Sequence, residues 1–274
     1  GEARATYKYV QSVWSKKEEE ANKWIYTGFG QKMSGGIIQR IFSKEGRNAG
    51  NTSVLPLSDK VLALWEGGWP YAMDLENLET RGLDNLGFLE QGQTFSAHPK
   101  VDFETGEIFS IGGRMEKGKR FLCVYKCDKD GKLISKTDIP HRVTMIHDFV
   151  IAGKYIVIMS FPTVMTKKAI AQYLLGFKSY NDAVECRPEN GTEVFILNRN
   201  DLSLVKQFTT DPFYAYHYTN GYEEKDGTIY LEFVKYDTYE NVRKYHSTVS
   251  HLDKPLPSTY AGRLSYMKID PQKG

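Results

Sequence analysis

From residue 52 onwards, short apolar runs alternate with polar turns in units of about ten residues. The turns share a composition, because Asp or Asn, often with Gly, stands before each new apolar run. Asp and Asn favour such turns by bonding their own backbone, and Gly supplies a positive φ. The pattern predicts repeated antiparallel hairpins, as in a sandwich, a barrel or a β-propeller, and the loose spacing does not choose among them. The turns are DLENLET (74–80), DFETGEI (102–108), DKDGKLI (128–134), NRNDLSL (198–204) and EEKDGTI (223–229).

The first fifty residues lack this alternation of apolar runs and polar turns. Residues 3–13 alternate weakly, which predicts an edge strand. Residues 15–21, with the sequence SKKEEEA, are charged on every side and predict a solvated helix or loop rather than a binding surface. The glycine-rich stretch 28–51 is typical of a long loop.

One later segment, residues 165–183, also breaks the pattern. Its apolar side chains recur at helical spacing, at Ile170, Tyr173, Leu174 and Phe177. We therefore predict a short helical insertion whose apolar stripe packs on the sheets. The alternative is an exposed apolar lid that touches a membrane or an apolar substrate.

Charge and composition exclude several classes of protein. Basic and acidic residues nearly balance, at 36 against 34, and no basic stripe is present, which disfavours nucleic-acid binding. The 18 Tyr and 14 Phe favour strands. Cys123 and Cys127 lie too far apart on one strand to form a disulfide, and with Cys186 they are interpreted as reduced thiols. The expected location is intracellular, in cytoplasm or plastid. No apolar run is long enough to span a membrane, and the missing initiator Met suggests a trimmed start.

Three histidines occupy similar places in successive β-units. His98, His147 and His217 each stand close to a predicted hairpin. A single histidine of this kind is usually structural, but the recurrence indicates side chains that converge on one point. His141 is interpreted as a turn residue, and His246 and His251 as members of a polar loop that do not form a helical pair.

Several segments together resemble the carotenoid cleavage oxygenases, the retinal pigment epithelial membrane protein family. They run in the family's order from about residue 51 to the C-terminus. No one of them would be specific, but the ordered set is. The segments are LALWEGGWPYAMDLENLET, FSAHPKVDFETGEIFSIG, MIHDFVIAGKYIVIMSFP, RPENGTEVFILNR and YHYTNGYEE.

The resemblance implies an all-β, seven-bladed β-propeller with Fe(II) on its axis, held by four histidines. About four blades are expected here, as an incomplete ring. Residues 1–274 would form one partial domain, with strand, charged segment and loop in 1–50 and blade repeats in 51–274. The positions that match the family's metal ligands are His98, His147 and His217, and the family's fourth histidine falls beyond residue 274. Glu66, in the LWEGG stretch, matches a glutamate that supports a ligand histidine.

The function implied is a non-haem Fe(II)-dependent dioxygenase. It would cleave a C=C bond of a carotenoid or apocarotenoid with O2 to give carbonyl products, and it needs no protein acid, base or nucleophile. Its partners would be a lipophilic polyene, a membrane touched peripherally through residues 165–183, and a protein that covers open blade edges. Trp65, Trp69 and Tyr71 either line a substrate tunnel or pack in a core. The alternative function is that of a truncated homologue without catalysis, which acts as a carotenoid-binding or scaffold subunit of a larger complex. A third hypothesis is an unrelated β-propeller or sandwich that serves protein contacts.

Overall fold

A computed structural model describes residues 3–26, 30, 32, 48–141, 146–249 and 258–273. Most of the predicted loop 28–51 therefore lies outside the described residues. The chain divides into two compact units. Unit 1 comprises Gly1–Gly28 and Met33–Pro140, and unit 2 comprises Phe29–Lys32 and His141–Gly274. The single partial domain predicted over residues 1–274 remains a prediction.

Unit 1 contains two four-stranded antiparallel sheets whose strands follow one another in sequence order. The first consists of β1 (Ser53–Pro56), β2 (Val61–Leu64), β3 (Tyr71–Met73) and β4 (Thr80–Leu83). The second consists of β5 (Lys100–Val101), β6 (Ile108–Glu116), β7 (Lys119–Cys127) and β8 (Leu133–Pro140). Each sheet is an up-and-down meander, the unit from which propeller blades are built.

Unit 2 contains a four-stranded sheet in the order β14-β13-β10-β9 and a three-stranded sheet in the order β15-β16-β17. A two-stranded ribbon, β11 with β12, accompanies them. The strands are β9 (Val150–Ala152), β10 (Tyr155–Ser160), β11 (Thr163–Val164), β12 (Glu185–Cys186), β13 (Thr192–Asn198), β14 (Leu204–Thr210), β15 (Tyr214–Glu223), β16 (Ile229–Tyr236) and β17 (Arg263–Ile269). The helices are α2 (Lys167–Leu174) and α3 (Tyr180–Ala183) between β11 and β12, and α4 (Tyr239–Val249) between β16 and β17.

The predicted Asp/Asn/Gly turns connect strands as expected. In the β5–β6 turn, Asp102 Oδ1 accepts a hydrogen bond of 2.9 Å from the backbone N–H of Glu104. Gly106 completes that turn with φ of 74°, a conformation that glycine adopts without steric cost. The hairpin prediction for this part of the chain is confirmed.

The edge strand predicted over residues 3–13 is wrong. Residues 3–12 have no regular structure, and helix α1 (Val13–Glu20) follows them. The helix begins there because the Ser12 side chain accepts a hydrogen bond from the N–H of Ser15, which satisfies a free donor of the first turn. Trp14 and Glu18, one turn apart, are buried. Of the two alternatives predicted for residues 15–21, a solvated helix or a loop, the helix is the one observed, although Glu18 on it is buried.

The helical insertion is confirmed but is divided in two. Gly176, with φ of 73°, follows the end of α2, and Ser179 caps the start of α3. The predicted apolar stripe is only partly covered, because Leu174 and Phe177 are 54% and 58% exposed. His246 lies in α4 rather than in a polar loop, and His251 lies outside the described residues.

Each unit has its own apolar core. In unit 1 a cluster around Leu62, Phe95 and Tyr125 lies between the sheets. In unit 2 the inward side chains of β10, β13 and β16, with Tyr214 of β15, form the core. These strands hold the loops and strand ends that carry the histidines.

Candidate metal site

His98 lies in an irregular segment between β4 and β5, and buried hydroxyl groups fix its backbone. Ser96 Oγ accepts a hydrogen bond of 2.9 Å from the N–H of His98. Ser110 Oγ of β6 in turn accepts one of 3.2 Å from the N–H of Ser96. Both serines are buried. The histidine is thus positioned by a relay of neutral groups that starts on a central strand.

A glycine in β6 lets this segment approach the strand. Thr94 donates its N–H to the carbonyl of Gly113 at 3.1 Å, and its Oγ1 accepts the N–H of Gly113 at 2.9 Å. A Cβ atom on Gly112 would lie 1.9 Å from the carbonyl oxygen of Thr94. Only glycine allows so close an approach of two backbones.

His147 and Asp148 immediately precede β9 in unit 2. The His147 ring is half-buried, whereas Asp148 is only 4% exposed. Asp148 Oδ1 accepts a hydrogen bond of 2.8 Å from the N–H of Phe149, and Oδ2 accepts one of 3.3 Å from the N–H of Tyr218 in β15. A buried carboxylate therefore connects the His147 segment to the strand that carries the third histidine.

His217 lies in a bulged part of β15. Ala215 pairs with Lys235 and Tyr218 with Phe233, so Tyr216 and His217 together face the single residue Val234. A second irregularity follows between Tyr218 and Asn220. Bulges of this kind redirect side chains and are common beside functional sites. The His217 ring is 53% exposed, and its Nδ1 lies 3.6 Å from Asp148 Oδ2.

The histidine rings come together. The centroids of the His147 and His217 rings are 4.9 Å apart, with an interplanar angle of 73°. The ligating atoms of His98, His147 and His217 all lie within 4.8 Å of one another. Nitrogen atoms that share one metal ion at bond lengths of about 2.1 Å lie slightly closer together than these atoms do. Small side-chain rotations would therefore bring the three histidines into ligating positions. Imidazole nitrogens suit iron among the first-row metals, so this donor set fits the expected group.

Glu66 and the aromatic residues near it lie in different environments. Glu66 is half-buried in the turn after β2, and its role behind a ligand remains a prediction. Tyr71 is 1% exposed in the core of unit 1, where its hydroxyl accepts a hydrogen bond from the N–H of Val13. Of the two alternatives for Tyr71, the core position is the one observed. Trp69 also packs against apolar core residues, while Trp65 is half-buried.

Sequence reasoning missed Asp148. An acidic residue beside a predicted ligand carries no signal of its own, because its contact with Tyr218 spans 70 residues. Glu223, the first residue of the predicted turn 223–229, accepts the N–H of Lys154 in the β9–β10 turn and pairs with the Lys154 ammonium at 2.8 Å.

Antiparallel meander sheets, found in both units among the described residues, are the elements from which β-propellers are built, and clustered imidazoles of this kind could hold a metal ion. The profile of the family described as retinal pigment epithelial membrane protein matches residues 1–274. The chain belongs to this family, as the resemblance in its sequence indicated. No described helix is both long and apolar enough to cross a bilayer.

Two curated relatives and one solved structure illustrate the similarity. The chain is 31% identical to an apocarotenoid-15,15'-oxygenase of Synechocystis over 246 residues, which cover 86% of this chain and 49% of that protein. It is 27% identical to resveratrol cleavage oxygenase 1 of Aspergillus fumigatus, covering 85% and 45% respectively. A structure of a Synechocystis apocarotenoid oxygenase variant has a TM-score of 0.78 at 26% identity, over 96% of this chain and 55% of that chain. The all-β propeller prediction is confirmed, and the chain spans about half the length of these relatives.

Proposed function

We propose that this chain forms part of a non-haem Fe(II)-dependent dioxygenase that cleaves a C=C bond of a carotenoid or apocarotenoid. The observation that carries the proposal is the grouping of the His98, His147 and His217 imidazoles within 4.8 Å. The names of the relatives support the substrate class, since the first of them acts on an apocarotenoid.

The three histidines would hold the iron through neutral nitrogen donors, leaving its full charge at the site. When bound, Fe(II) supplies the redox chemistry that makes O2 reactive towards a C=C bond. The chain's own residues would bind the iron and hold its ligand side chains in position. The Ser96–Ser110 relay fixes the His98 backbone, and the bulge in β15 presents His217. Glu66 would support one of the ligand rings by accepting its second N–H.

The substrate would be a lipophilic polyene delivered from a membrane surface. Leu174 at the end of α2 and Phe177 just after it expose apolar side chains to solvent, which supports a peripheral contact through residues 165–183. A partner over open blade edges and a cytoplasmic or plastid location remain predictions. Retention of the clustered ligands and relatives named as oxygenases favour catalysis over the scaffold alternative.

The direct test is product analysis with the iron-loaded protein. The protein is reconstituted with Fe(II) without air, then mixed with an apocarotenoid and O2, and carbonyl products are quantified by mass spectrometry. We expect two products from one substrate, and a loss of at least about 100-fold in rate for His147→Ala, because removal of a ligand weakens the metal site. The control is His141→Ala, a histidine outside the cluster. Undiminished cleavage by His147→Ala would contradict the proposal.

A further inference from the structure

A row of tyrosine rings leads from the histidine site into the core of unit 2. The Tyr216 ring meets that of His147 edge to face, with the centroids 5.2 Å apart. Tyr214 follows at 5.0 Å from Tyr216, and Tyr239, at the start of α4, lies 5.0 Å from Tyr214. Centroids at such distances place aromatic rings in direct contact. The rings therefore form a continuous line that begins at a candidate metal ligand.

The line continues from the core to the helical insertion. The Tyr239 hydroxyl donates a hydrogen bond of 2.6 Å to Asn181 Oδ1, and Asn181 follows Tyr180 in α3. Burial, with smaller contributions from Tyr216 and Tyr180 nearby, raises the pKa of Tyr239 above its ordinary value. Tyr180 in turn meets the half-buried Tyr173 of α2 edge to face, at 6.0 Å. The tyrosine row thus consists of Tyr216, Tyr214, Tyr239, Tyr180 and Tyr173.

Phenylalanine rings fill the adjoining part of the same core. Phe161, Phe213 and Phe233 are at most 4% exposed and contact one another in sequence at 5.5 Å and 5.3 Å. Burying a hydroxyl group costs free energy that burying a bare ring does not. Packing alone therefore favours phenylalanine. Tyr214 and Tyr239, which are only 6% and 4% exposed, require a further reason.

The chemical difference between the two kinds of ring is their redox activity. A phenol gives up an electron and its proton to form a neutral radical, whereas the benzene ring of phenylalanine is far harder to oxidise. Electrons also cross a series of touching rings in short steps much faster than they cross the same distance in one step. Tyrosines that begin at a ligand histidine can therefore remove an oxidising equivalent from it.

We propose that the tyrosine row carries oxidising equivalents from the histidine site to the surface, and so protects the ligand imidazoles when no substrate is bound. The inference rests on the proposed function for the identity of the metal. Another redox-active metal held by the three histidines and supplied with hydrogen peroxide would oxidise the row in the same way, because imidazole also suits copper.

Each step moves one electron and one proton. Tyr216 gives an electron to the oxidised metal site and its hydroxyl proton to water, and becomes a neutral phenoxyl radical. Tyr214 then returns an electron and a proton to Tyr216. Tyr239 and Tyr180 follow in the same manner, until the radical reaches Tyr173. There a soluble thiol donates one hydrogen atom, which restores the phenol, and two of the resulting thiyl radicals combine to a disulfide.

The first test labels the radical at the surface end of the row. Metal-free protein is loaded with Cu(II), which such sites bind more tightly than Fe(II), and is treated with hydrogen peroxide and a nitroso spin trap. Peptide mass spectrometry quantifies the trap on Tyr173 and the oxidation of His147. We expect labelled Tyr173 in the parent protein. In Tyr214→Phe, which keeps the ring but loses the hydroxyl, the label should fall to the metal-free background and oxidation of His147 should rise severalfold.

Tyr155→Phe is the matched control. Tyr155 is also buried in unit 2, at 6%, but it begins β10, whose six residues separate it from Phe161 by about 20 Å of extended chain. This variant should match the parent protein in both readouts. Tyr239→Phe, which interrupts the row at a second place, should behave as Tyr214→Phe does. Equal labelling of Tyr173 in the parent and in both row variants would overturn the proposal, and so would labelling that persists without bound metal.

The second test uses the iron-loaded protein. It is mixed with hydrogen peroxide without substrate and frozen rapidly, and electron paramagnetic resonance records organic radicals. We expect a tyrosyl signal that narrows when the protein carries ring-deuterated tyrosine and that disappears when a thiol is added before freezing. Iron-loaded protein that gives no tyrosyl signal would contradict the proposal.

The two tests separate the inference from the proposed function. If the iron-loaded protein cleaves no apocarotenoid, while labelling of Tyr173 depends on Tyr214, the proposed function fails and the inference stands. If cleavage occurs but the labelling does not depend on Tyr214, only the inference fails. A protein that binds neither Cu(II) nor Fe(II) overturns both. Far-ultraviolet circular dichroism of each variant confirms that the sheets are retained.

Discussion

The two units position their histidines by different physical means. In unit 1, neutral serine hydroxyls and a backbone contact hold the segment of His98. In unit 2, a buried carboxylate and a strand bulge hold that of His217. A hydrogen bond between neutral groups contributes about 1 kcal/mol, and one to a charged group about 1.5–3 kcal/mol. The comparison teaches that unit 1 relies on close backbone packing, whereas unit 2 relies on one buried carboxyl group.

Both units also depend on a glycine in mid-strand, and the neighbouring atoms differ. The nearest neighbour of a Cβ on Gly112 in unit 1 would be a backbone oxygen, at 1.9 Å. On Gly221 in unit 2 it would be a methyl group of Val150, at 2.4 Å. Side chains rotate more readily than backbones move, so the same substitution should cost more in unit 1.

The largest effect is therefore expected for Gly112→Ala. Relief of the clash requires the Thr94 segment to leave β6, which costs about 3 kcal/mol or more in unfolding free energy. The measurement is a urea denaturation curve followed by circular dichroism. Gly113→Ala is the matched control, because the nearest atoms to its Cβ lie at ordinary contact distances of 3.9 and 4.0 Å. Equal midpoints for the two variants would show that the backbone approach is not as tight as described.

Gly221→Ala should have an intermediate effect, about 1–2 kcal/mol, since the Val150 side chain can partly adjust. The same denaturation assay applies. Adding Val150→Ala removes the clashing methyl, so the double variant should be more stable than the sum of the two single effects predicts. Strict additivity would argue against contact between these two positions.

Ser96→Ala tests the neutral relay of unit 1. The N–H of His98 loses its acceptor, and the expected cost is about 1 kcal/mol in unfolding free energy. The affinity of the protein for Co(II), which stands in for Fe(II), should fall by only a few fold, and by less than it does in the Asp148→Asn variant. A larger loss of affinity for Ser96→Ala than for Asp148→Asn would reverse the comparison between the units.

The smallest effect concerns the Glu223–Lys154 pair of unit 2. Partial burial opposes ionisation of Glu223, but the hydrogen bonds and charge of Lys154 hold the pKa of that carboxyl below its ordinary value. Its contribution is therefore present above the unfolded pKa of about 4.3 and is lost as pH falls through the lower folded value.

Because Lys154 is largely exposed, solvent screening should keep this loss of stability small. Glu223→Gln should accordingly reduce the fall in stability between about pH 5 and pH 3. The check is thermal unfolding across that range for both proteins. A variant with the same pH profile as the parent would show that the pair contributes nothing in solution.

Local chemistry accounts for much of what the sequence predicted. The Asp102–Gly106 turn and its counterparts follow from side chains that bond their own backbone, so the hairpins were readable. The three histidines could be assigned as metal ligands only because several segments match the family in order. The residues next to His98 in the sequence do not by themselves mark it as a ligand. The start of helix α1 at Val13 was missed because its capping Ser12 and buried Trp14 lie in a stretch that also alternates.

Features that depend on long-range contacts could not be predicted from the sequence. The bulge at Tyr216 and His217 depends on how β15 pairs with β16, and no local pattern announces an extra residue. The importance of Asp148 likewise arises only when folding brings residue 218 beside it. These are tertiary contacts, which propensity and periodicity do not encode.

The cysteines bear on which metal such a chain retains in a cell. Burial raises the pKa of Cys123 and of Cys127 to about 12, and it also raises the pKa of Cys186. Metals bind the thiolate and not the thiol, so at neutral pH the sulfur atoms are withheld from zinc and copper(I), which prefer them. Burial of Cys123 and Cys127 therefore keeps their sulfur atoms from competing with the imidazoles for a metal ion.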